Sequence, residues 1–164
     1  MQTDKLIDHL KYEIRLCKEL VTVLQKETES MAGRDYKSLY EVVGQKENLV
    51  MRLNVLSQAR GNLIEEAASA LGLSREGEAP SLSSVIEHAG PGKKELDDCH
   101  KTILSLAFSI KEINSLNSLV MESSLENVKK TLGFLGNFLQ SSVYKPGGTI
   151  EEFAVKGTRL NKGA

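Results

Sequence analysis

Residues 35–72 read DYKSLYEVVGQKENLVMRLNVLSQARGNLIEEAASALG. Apolar residues recur there at every third or fourth position, which places them on one face of an amphipathic helix: Leu39, Val42, Leu49, Leu53, Leu56, Leu63, Ala67 and Ala70. Asp35 is a favourable N-cap residue, and Gly72 can adopt the left-handed conformation that commonly ends a helix. A helix over 36–71 would be about 54 Å long, and its apolar face requires other helices to cover it.

The same spacing on either side of this stretch predicts two partner helices. One runs from Thr3 or Asp4 to about Met31, and the connection through Gly33 is so short that the two helices should be antiparallel neighbours. The other runs from Lys93 to about residue 142. The predicted fold is therefore all-α: an elongated antiparallel helical hairpin plus a third long helix, forming a coiled-coil-like three-helix bundle.

Two segments fall outside these long helices. The 72–92 connection is rich in Gly, Ser, Glu and Pro, and it predicts a loop with one short helix after Ser81. This segment either covers the open end of the hairpin with its apolar residues or is mobile. Pro146, Gly147 and Gly148 break the helical pattern, which leaves a flexible C-terminal tail. We expect a helical bundle domain over 1–142 and a tail over 143–164.

Several polar residues lie on the predicted apolar faces. Lys46 and Arg60 either extend their charged ends toward carboxylates such as Glu13, Glu19 or Glu27 on the facing helix, or contact a partner directly. Asn117, where the spacing becomes four residues repeatedly, either forms hydrogen bonds across the bundle or is half-exposed. Cys17 and Cys99 are expected to be buried and reduced.

Composition and charge exclude several classes of function. The net charge of -1 and pI near 6.3 give no attraction to nucleic acid or to an anionic membrane. No stretch reaches the roughly 18 apolar residues of a membrane span, so we expect a cytoplasmic protein without membrane insertion. No catalytic motif or metal-ligand spacing appears, so we expect no enzyme and no cofactor. Phosphate transfer through His100 is a less favoured alternative, because bulky residues follow it.

The third helix poses a problem of length. At roughly 75 Å it exceeds the central helix by about 20 Å, and its far end is rich in apolar residues from Val128 to Leu139. Gly133 and Gly136 each weaken this end by about 1 kcal/mol relative to Ala. An apolar, marginally stable helix end is typical of a partner site or of a homodimer contact; alternatively, the helix bends back on its own bundle.

The chain resembles a known family, the flagellar export chaperone FlgN. The resemblance rests on the leucine-rich first helix, the Gly33-Arg34-Asp35 turn, and three later features: the long helix with Leu39, Lys46-Glu47, Leu49, Leu53, Leu56 and Arg60, its end at Leu71-Gly72, and Tyr144 followed by Pro146-Gly147-Gly148. It implies a cytosolic chaperone of the flagellar type III export system that binds the hook-filament junction proteins FlgK and FlgL and brings them to the export gate.

In that family client binding is attributed to the C-terminal part, which agrees with the overhang argued above from length. The resemblance therefore implies a client-binding site made of apolar residues at the end of the third helix: Val128, Leu132, Phe134, Leu135, Phe138, Leu139 and Val143. It also implies that Tyr144 contacts the export gate, although Tyr144 could equally belong to the rim of the client site or simply end the helix. The alternative from another class is a structural coiled-coil protein that forms a homodimer.

Overall fold

The computed structural model describes residues 2–73 and 79–141, with side chains described for 3–73 and 79–136. Every element in these ranges is helical: α1 (Gln2–Ala32), α2 (Tyr36–Ala70), α3 (Leu82–His88), a 3₁₀ turn (Gly90–Gly92) and α4 (Lys93–Ser141). The predicted all-α fold, a helical hairpin followed by a long third helix, is confirmed. The predicted tail, 143–164, lies outside the described residues.

The turn between α1 and α2 contains a left-handed residue that is not glycine. Arg34 has φ 54°, while Gly33 before it has an ordinary negative φ. The Asp35 N–H donates to the Ser30 carbonyl at 3.0 Å and the Arg34 N–H to the Met31 carbonyl at 3.2 Å, which is the pair of hydrogen bonds of a Schellman C-cap. Arg34 therefore occupies the position at which helices usually place glycine.

Both ends of α2 are capped as the sequence predicts. A carboxylate oxygen of Asp35 accepts from the Ser38 N–H at 3.1 Å, and the Ser38 hydroxyl donates to the other at 2.7 Å. These hydrogen bonds, the hydroxyl's first, hold the pKa of Asp35 below its usual value. At the other end Gly72 has φ +70°, and the Leu73 N–H donates to the Ala68 carbonyl.

The core consists of two clusters in the first part of the chain. At the open end of the hairpin, all four helices contribute buried residues: Leu6, Ile7, Leu10, Ala67, Ala68, Val85, Ile86, Ala89, Leu96 and Cys99. Val85 and Ile86 belong to α3, whose N-cap is Ser81, so of the two interpretations of this segment the one in which it covers the open end describes the structure. The second cluster joins α1 to α2 around Leu16, Leu20, Leu24 and Leu49, and Ile110 and Ile113 of α4 pack against it.

The chain divides into two compact units, Met1–Met121 and Glu122–Ala164. Both core clusters belong to the first unit. In the second unit the structure describes α4 from Glu122 to Ser141, and every side chain described there is exposed. The predicted boundary at residue 142 depends on the tail, so it stays a prediction.

Candidate functional site

The candidate site lies on α4, whose apolar spacing continues past the last residue that it buries. Up to Ile113, residues on this face are buried or half-buried against the core clusters. Asn117 is 2% exposed and is the last buried side chain in the described part of α4. Beyond it the same spacing leads first to Met121, 46% exposed, and then to four apolar side chains that are between 47% and 63% exposed, which we call the α4 stripe: Leu125, Val128, Leu132 and Leu135.

A buried polar network joins three helices at Asn117. Its side-chain amide donates to Glu27 Oε2 at 2.9 Å and to the Leu24 carbonyl at 3.0 Å. The Thr28 hydroxyl lies 2.7 Å from Asn117 Oδ1. The Lys46 ammonium of α2 donates to Glu27 Oε1 at 2.5 Å. Because Glu27 is only 1% exposed, these partners replace the hydrogen bonds that water would give its carboxylate. The network also fixes the register of α4 against α1.

A second ion pair, nearer the open end, repeats this arrangement. Arg60 of α2 donates to Glu13 of α1 at 2.6 Å, and the Glu13 carboxylate is almost fully buried. Of the two interpretations of Lys46 and Arg60, the internal one therefore describes the structure: both cations extend to carboxylates of the facing helix. Asn117 likewise forms hydrogen bonds across the bundle, as one of its two interpretations expects.

Charged side chains occupy the other faces of α4 along the α4 stripe. The Lys130 ammonium lies 2.8 Å from Glu126 Oε1, one helical turn away, and both groups are largely exposed. Glu122 and Lys129 add one charge of each sign. The stripe is thus a narrow apolar strip on a helix whose other faces carry charges of both signs, which suits binding of another amphipathic helix.

The structure places the predicted client-binding residues in three groups. Val128, Leu132 and Leu135 share one helical face. Phe134 is also exposed, but one residue before Leu135 it projects about 100° away around the helix. The backbone of Phe138 and Leu139 belongs to α4, but the structure does not describe their side chains. Val143 and Tyr144 lie outside the described residues.

Sequence reasoning left some exposed apolar residues out of the site. Leu125 belongs to the stripe, and its place in the 3-4 spacing would have been enough to find it. Other faces of α4 expose a further set, Leu104, Phe108, Leu116 and Leu119. On α2, Tyr36 and Tyr40 are exposed at the turn. Except for Leu125, these residues lie outside the predicted apolar faces. At such positions the sequence alone does not show whether a side chain is exposed.

The two cysteines are free and buried, in agreement with the prediction. Burial is the main cause that raises the pKa of the Cys17 thiol and of the Cys99 thiol, since it disfavours the thiolate. His100 is half-buried on α4. Across residues 2–73 and 79–141, no three His, Cys, Asp or Glu side chains are grouped so that they could hold a metal ion. No helix in the described part of the chain has both the length and the hydropathy of a membrane span.

Comparison with protein families decides the identity of the chain. The family model described as FlgN protein matches residues 1–152. The chain belongs to the FlgN family. Membership implies the role of a flagellar export chaperone, in a family whose members bind flagellar hook-associated proteins and that is not known for enzymes. Comparison with curated proteins finds no significant match, and comparison with solved structures finds none either.

The matched range includes the stripe and extends into the tail, so FlgN membership covers both core clusters and the candidate site. A further surface of this FlgN chain is a groove of about 670 Å³ between α1 and α2, with Val23 and Leu49 at its base and Gly44 in its wall. Its rim carries charges of both signs, from Glu19, Lys26 and Glu41. Since Val23 and Leu49 are already buried, this groove offers less apolar surface than the α4 stripe.

Proposed function

We propose that this chain is a cytoplasmic chaperone that captures the hook-associated proteins FlgK and FlgL through the α4 stripe and delivers them to the flagellar export gate. The observation that carries the proposal is the stripe itself. Leu125, Val128, Leu132 and Leu135 form an apolar face about 15 Å long that no described side chain covers. A face of this kind in a chaperone family suits capture of an amphipathic client helix.

Capture would be of moderate strength. Four exposed aliphatic side chains contribute about 25 cal/mol for each Å² that they bury, while ordering a flexible client segment opposes binding. Such a balance fits a chaperone that must release its client at the gate. Contact of Tyr144 with the gate, and contributions of Phe138, Leu139 and Val143 to the client site, remain parts of the proposal to be tested by substitution.

The test is co-purification of the full chain with the C-terminal helical segments of FlgK and FlgL from the same organism. We expect stoichiometric capture by the wild type and loss of capture by the Val128→Asp/Leu132→Asp variant. The matched control is Leu104→Asp/Phe108→Asp, which places the same charges on an equally exposed apolar pair elsewhere on α4. Equal capture by both variants would reject the stripe as the site.

Homodimerisation through the same stripe is the second candidate, since a second chain could also cover it. Light scattering at low micromolar concentration separates the two. A dimer mass that becomes a monomer mass on Leu135→Asp, without capture of either client by the wild type, would favour the dimer.

A further inference from the structure

The turn between α1 and α2, residues 33–35, is short and strained. Arg34 has φ 54°, and across residues 2–73 and 79–141 it is the only residue other than glycine with a positive φ. A short, strained connection between two packed elements favours exchange of an element between two copies of a chain. We infer that the turn opens into helix and that α1 of each chain then packs against α2, α3 and α4 of a second copy. This dimer goes beyond the proposed function and does not depend on it.

The face that joins α1 to α2 stays in phase across the turn. Six residues of this face are buried or half-buried, three before the turn and three after it: Leu24, Glu27, Met31, Leu39, Val42 and Lys46. Asp35 lies four residues after Met31 and four before Leu39. If residues 33–35 were helical, the 3-4 spacing would therefore continue from α1 into α2 with a single stutter, which a coiled coil accommodates by local unwinding. One continuous helix can thus present both halves of the face to an antiparallel second copy.

The contacts of α1 are the same in the monomer and in the exchanged dimer. Glu13 pairs with Arg60 of α2 at 2.6 Å. Lys11 pairs with Glu95 of α4 at the same distance. A two-fold axis at the opened turn puts the second chain's α1 where a chain's own α1 lies in the monomer, so both ion pairs and both core clusters re-form between chains. Within residues 3–73 and 79–121 the two forms therefore differ at the turn alone.

The turn thus decides which form prevails. Opening it removes the left-handed conformation of Arg34, which a residue with a Cβ disfavours. Opening also breaks the cap in which Asp35 accepts from the Ser38 N–H, and it brings the Asp35 carboxylates of the two chains together near the axis. Closure within one chain has an effective concentration of about millimolar, so we expect a monomer at micromolar concentration and a dimer after refolding at about 1 mM.

Asp35→Leu is expected to favour the dimer. It removes the cap of the closed turn, and on a continuous helix it places an apolar side chain on the face between the two copies. After refolding at one fixed concentration, the ratio of dimer to monomer measured by light scattering should rise at least about tenfold. Tyr36→Leu is the matched control, because it adds the same side chain about 100° away around the helix and should leave the ratio unchanged. Equal ratios for the two variants would overturn the inference.

Arg34→Gly is expected to act in the opposite direction. Glycine adopts the left-handed conformation of the closed turn without strain, and it weakens a continuous helix. The ratio of dimer to monomer should therefore fall at least about tenfold. An unchanged or increased ratio would overturn the inference that strain at Arg34 opens the turn.

Zero-length cross-linking with a carbodiimide tests whether a dimer has exchanged α1. The Lys11–Glu95 pair is half-exposed, so the reagent can join the two side chains through an amide. When labelled and unlabelled chains are refolded together, exchange is expected to give cross-linked Lys11–Glu95 peptides that contain one chain of each isotope. Lys101–Asp97 is the control pair, because both residues belong to α4 and their cross-link carries a single isotope in any dimer.

A dimer through the α4 stripe would give the same mass, cross-links of unmixed isotopes and dissociation on Leu135→Asp. That result would overturn the exchange, as would a monomer from the wild type and from Asp35→Leu alike after refolding at about 1 mM. Neither readout involves FlgK or FlgL. Failure to capture these clients would reject the proposed function and leave the dimer in place, whereas unmixed cross-links would reject the dimer and leave the function in place.

Discussion

At the scale of single residues, the turn between α1 and α2 contains a conformation that its side chain does not favour. A left-handed backbone brings a Cβ close to the following carbonyl, which costs about 1–2 kcal/mol for a residue other than Gly, Asn or Asp. Arg34 bears this cost at φ 54°, although Gly33 stands immediately before it. The sequence pattern indicates Gly33 as the helix end, but it cannot tell which of two adjacent residues becomes left-handed.

We therefore predict that Arg34→Gly stabilises the protein by about 0.5–1 kcal/mol, because part of the relieved strain is offset by the greater freedom of glycine in the unfolded chain. Urea unfolding measures the change. Gly33→Ala is the control, since its Cβ would approach the Glu29 carbonyl oxygen to 3.3 Å without relieving any strain. Destabilisation by Arg34→Gly would contradict this account of the turn.

The buried carboxylate of Glu27 gives a second prediction. Lys46→Met removes its cation and is expected to destabilise the protein by about 3 kcal/mol, because an uncompensated charge then remains buried. Adding Glu27→Leu should recover most of the loss. Thermal unfolding of the two variants gives the comparison.

Lys101→Met is the matched control for Lys46→Met. It breaks an exposed pair with Asp97 at a similar distance, 2.6 Å, and should change stability by less than about 1 kcal/mol. Equal losses of stability in the two Lys→Met variants would mean that the burial of Glu27 does not add to the cost of removing its cation.

The buried thiols give a prediction on pH. Since burial raises the pKa of Cys17 and Cys99, the unfolded chain loses these thiol protons at lower pH than the folded chain does. Their contribution to stability is complete below the unfolded thiol pKa and is lost as the pH rises through the higher folded value. Native protein at pH 8 should therefore react more slowly with a thiol reagent than protein in urea. Equal rates would show that the thiols are accessible.

At the scale of helices, the outcome of sequence reasoning depended on whether the deciding interaction was local. Asp35 and Ser81 could be predicted as N-caps because a cap involves residues three positions apart. The ion pairs of Lys46 and Arg60 could be predicted as a type, since a cation on an apolar seam needs a nearby carboxylate. Which acid of α1 pairs with each cation depends on how far α1 is shifted along α2, and no local sequence pattern contains that shift.

The same limit applies to α4. Its 3-4 spacing predicts a helix equally well before and after Asn117, yet among the described residues this face is buried or half-buried only up to Asn117. Spacing specifies which side chains share a face. It does not specify whether that face is covered, so Phe134 could be grouped with the stripe although it projects elsewhere. Exposure of the stripe became evident only once the positions of α1 and α2 were known.

Two glycines on α4 make its stability adjustable. A Cβ added at Gly133 or Gly136 meets no atom within 4 Å, so substitution by Ala creates no clash. We expect each change to stabilise the helix by about 1 kcal/mol, because Gly is that much less favourable than Ala in a helix interior. Slower hydrogen exchange over 125–136 would register the gain. Gly92→Ala is the contrasting case, as its Cβ would lie 3.3 Å from Thr3 Cγ2 and should bring no gain.

At the scale of the whole molecule, the buried core and the proposed client-binding surface belong to different parts of the chain. Both core clusters lie within Met1–Met121, whereas the α4 stripe lies within the second unit and is exposed. The core therefore stabilises the chain through packing, and in the proposed function the stripe contacts a client. Substitutions in the core should therefore lower stability and leave client capture unchanged, whereas substitutions in the stripe should do the reverse.

Leu24→Ala and Val128→Asp test this separation. Leu24 is 1% exposed, and its truncation leaves a cavity in the second cluster, which should lower the free energy of unfolding by about 2–5 kcal/mol. Val128→Asp should change it by about 0.5 kcal/mol or less, since surface substitutions seldom do more. Capture of FlgK or FlgL segments below the unfolding transition should show the reverse order: retained by Leu24→Ala and weakened by Val128→Asp. If Val128→Asp instead unfolded the protein as readily as Leu24→Ala, the stripe would be part of a core, and its exposure would not be a binding property.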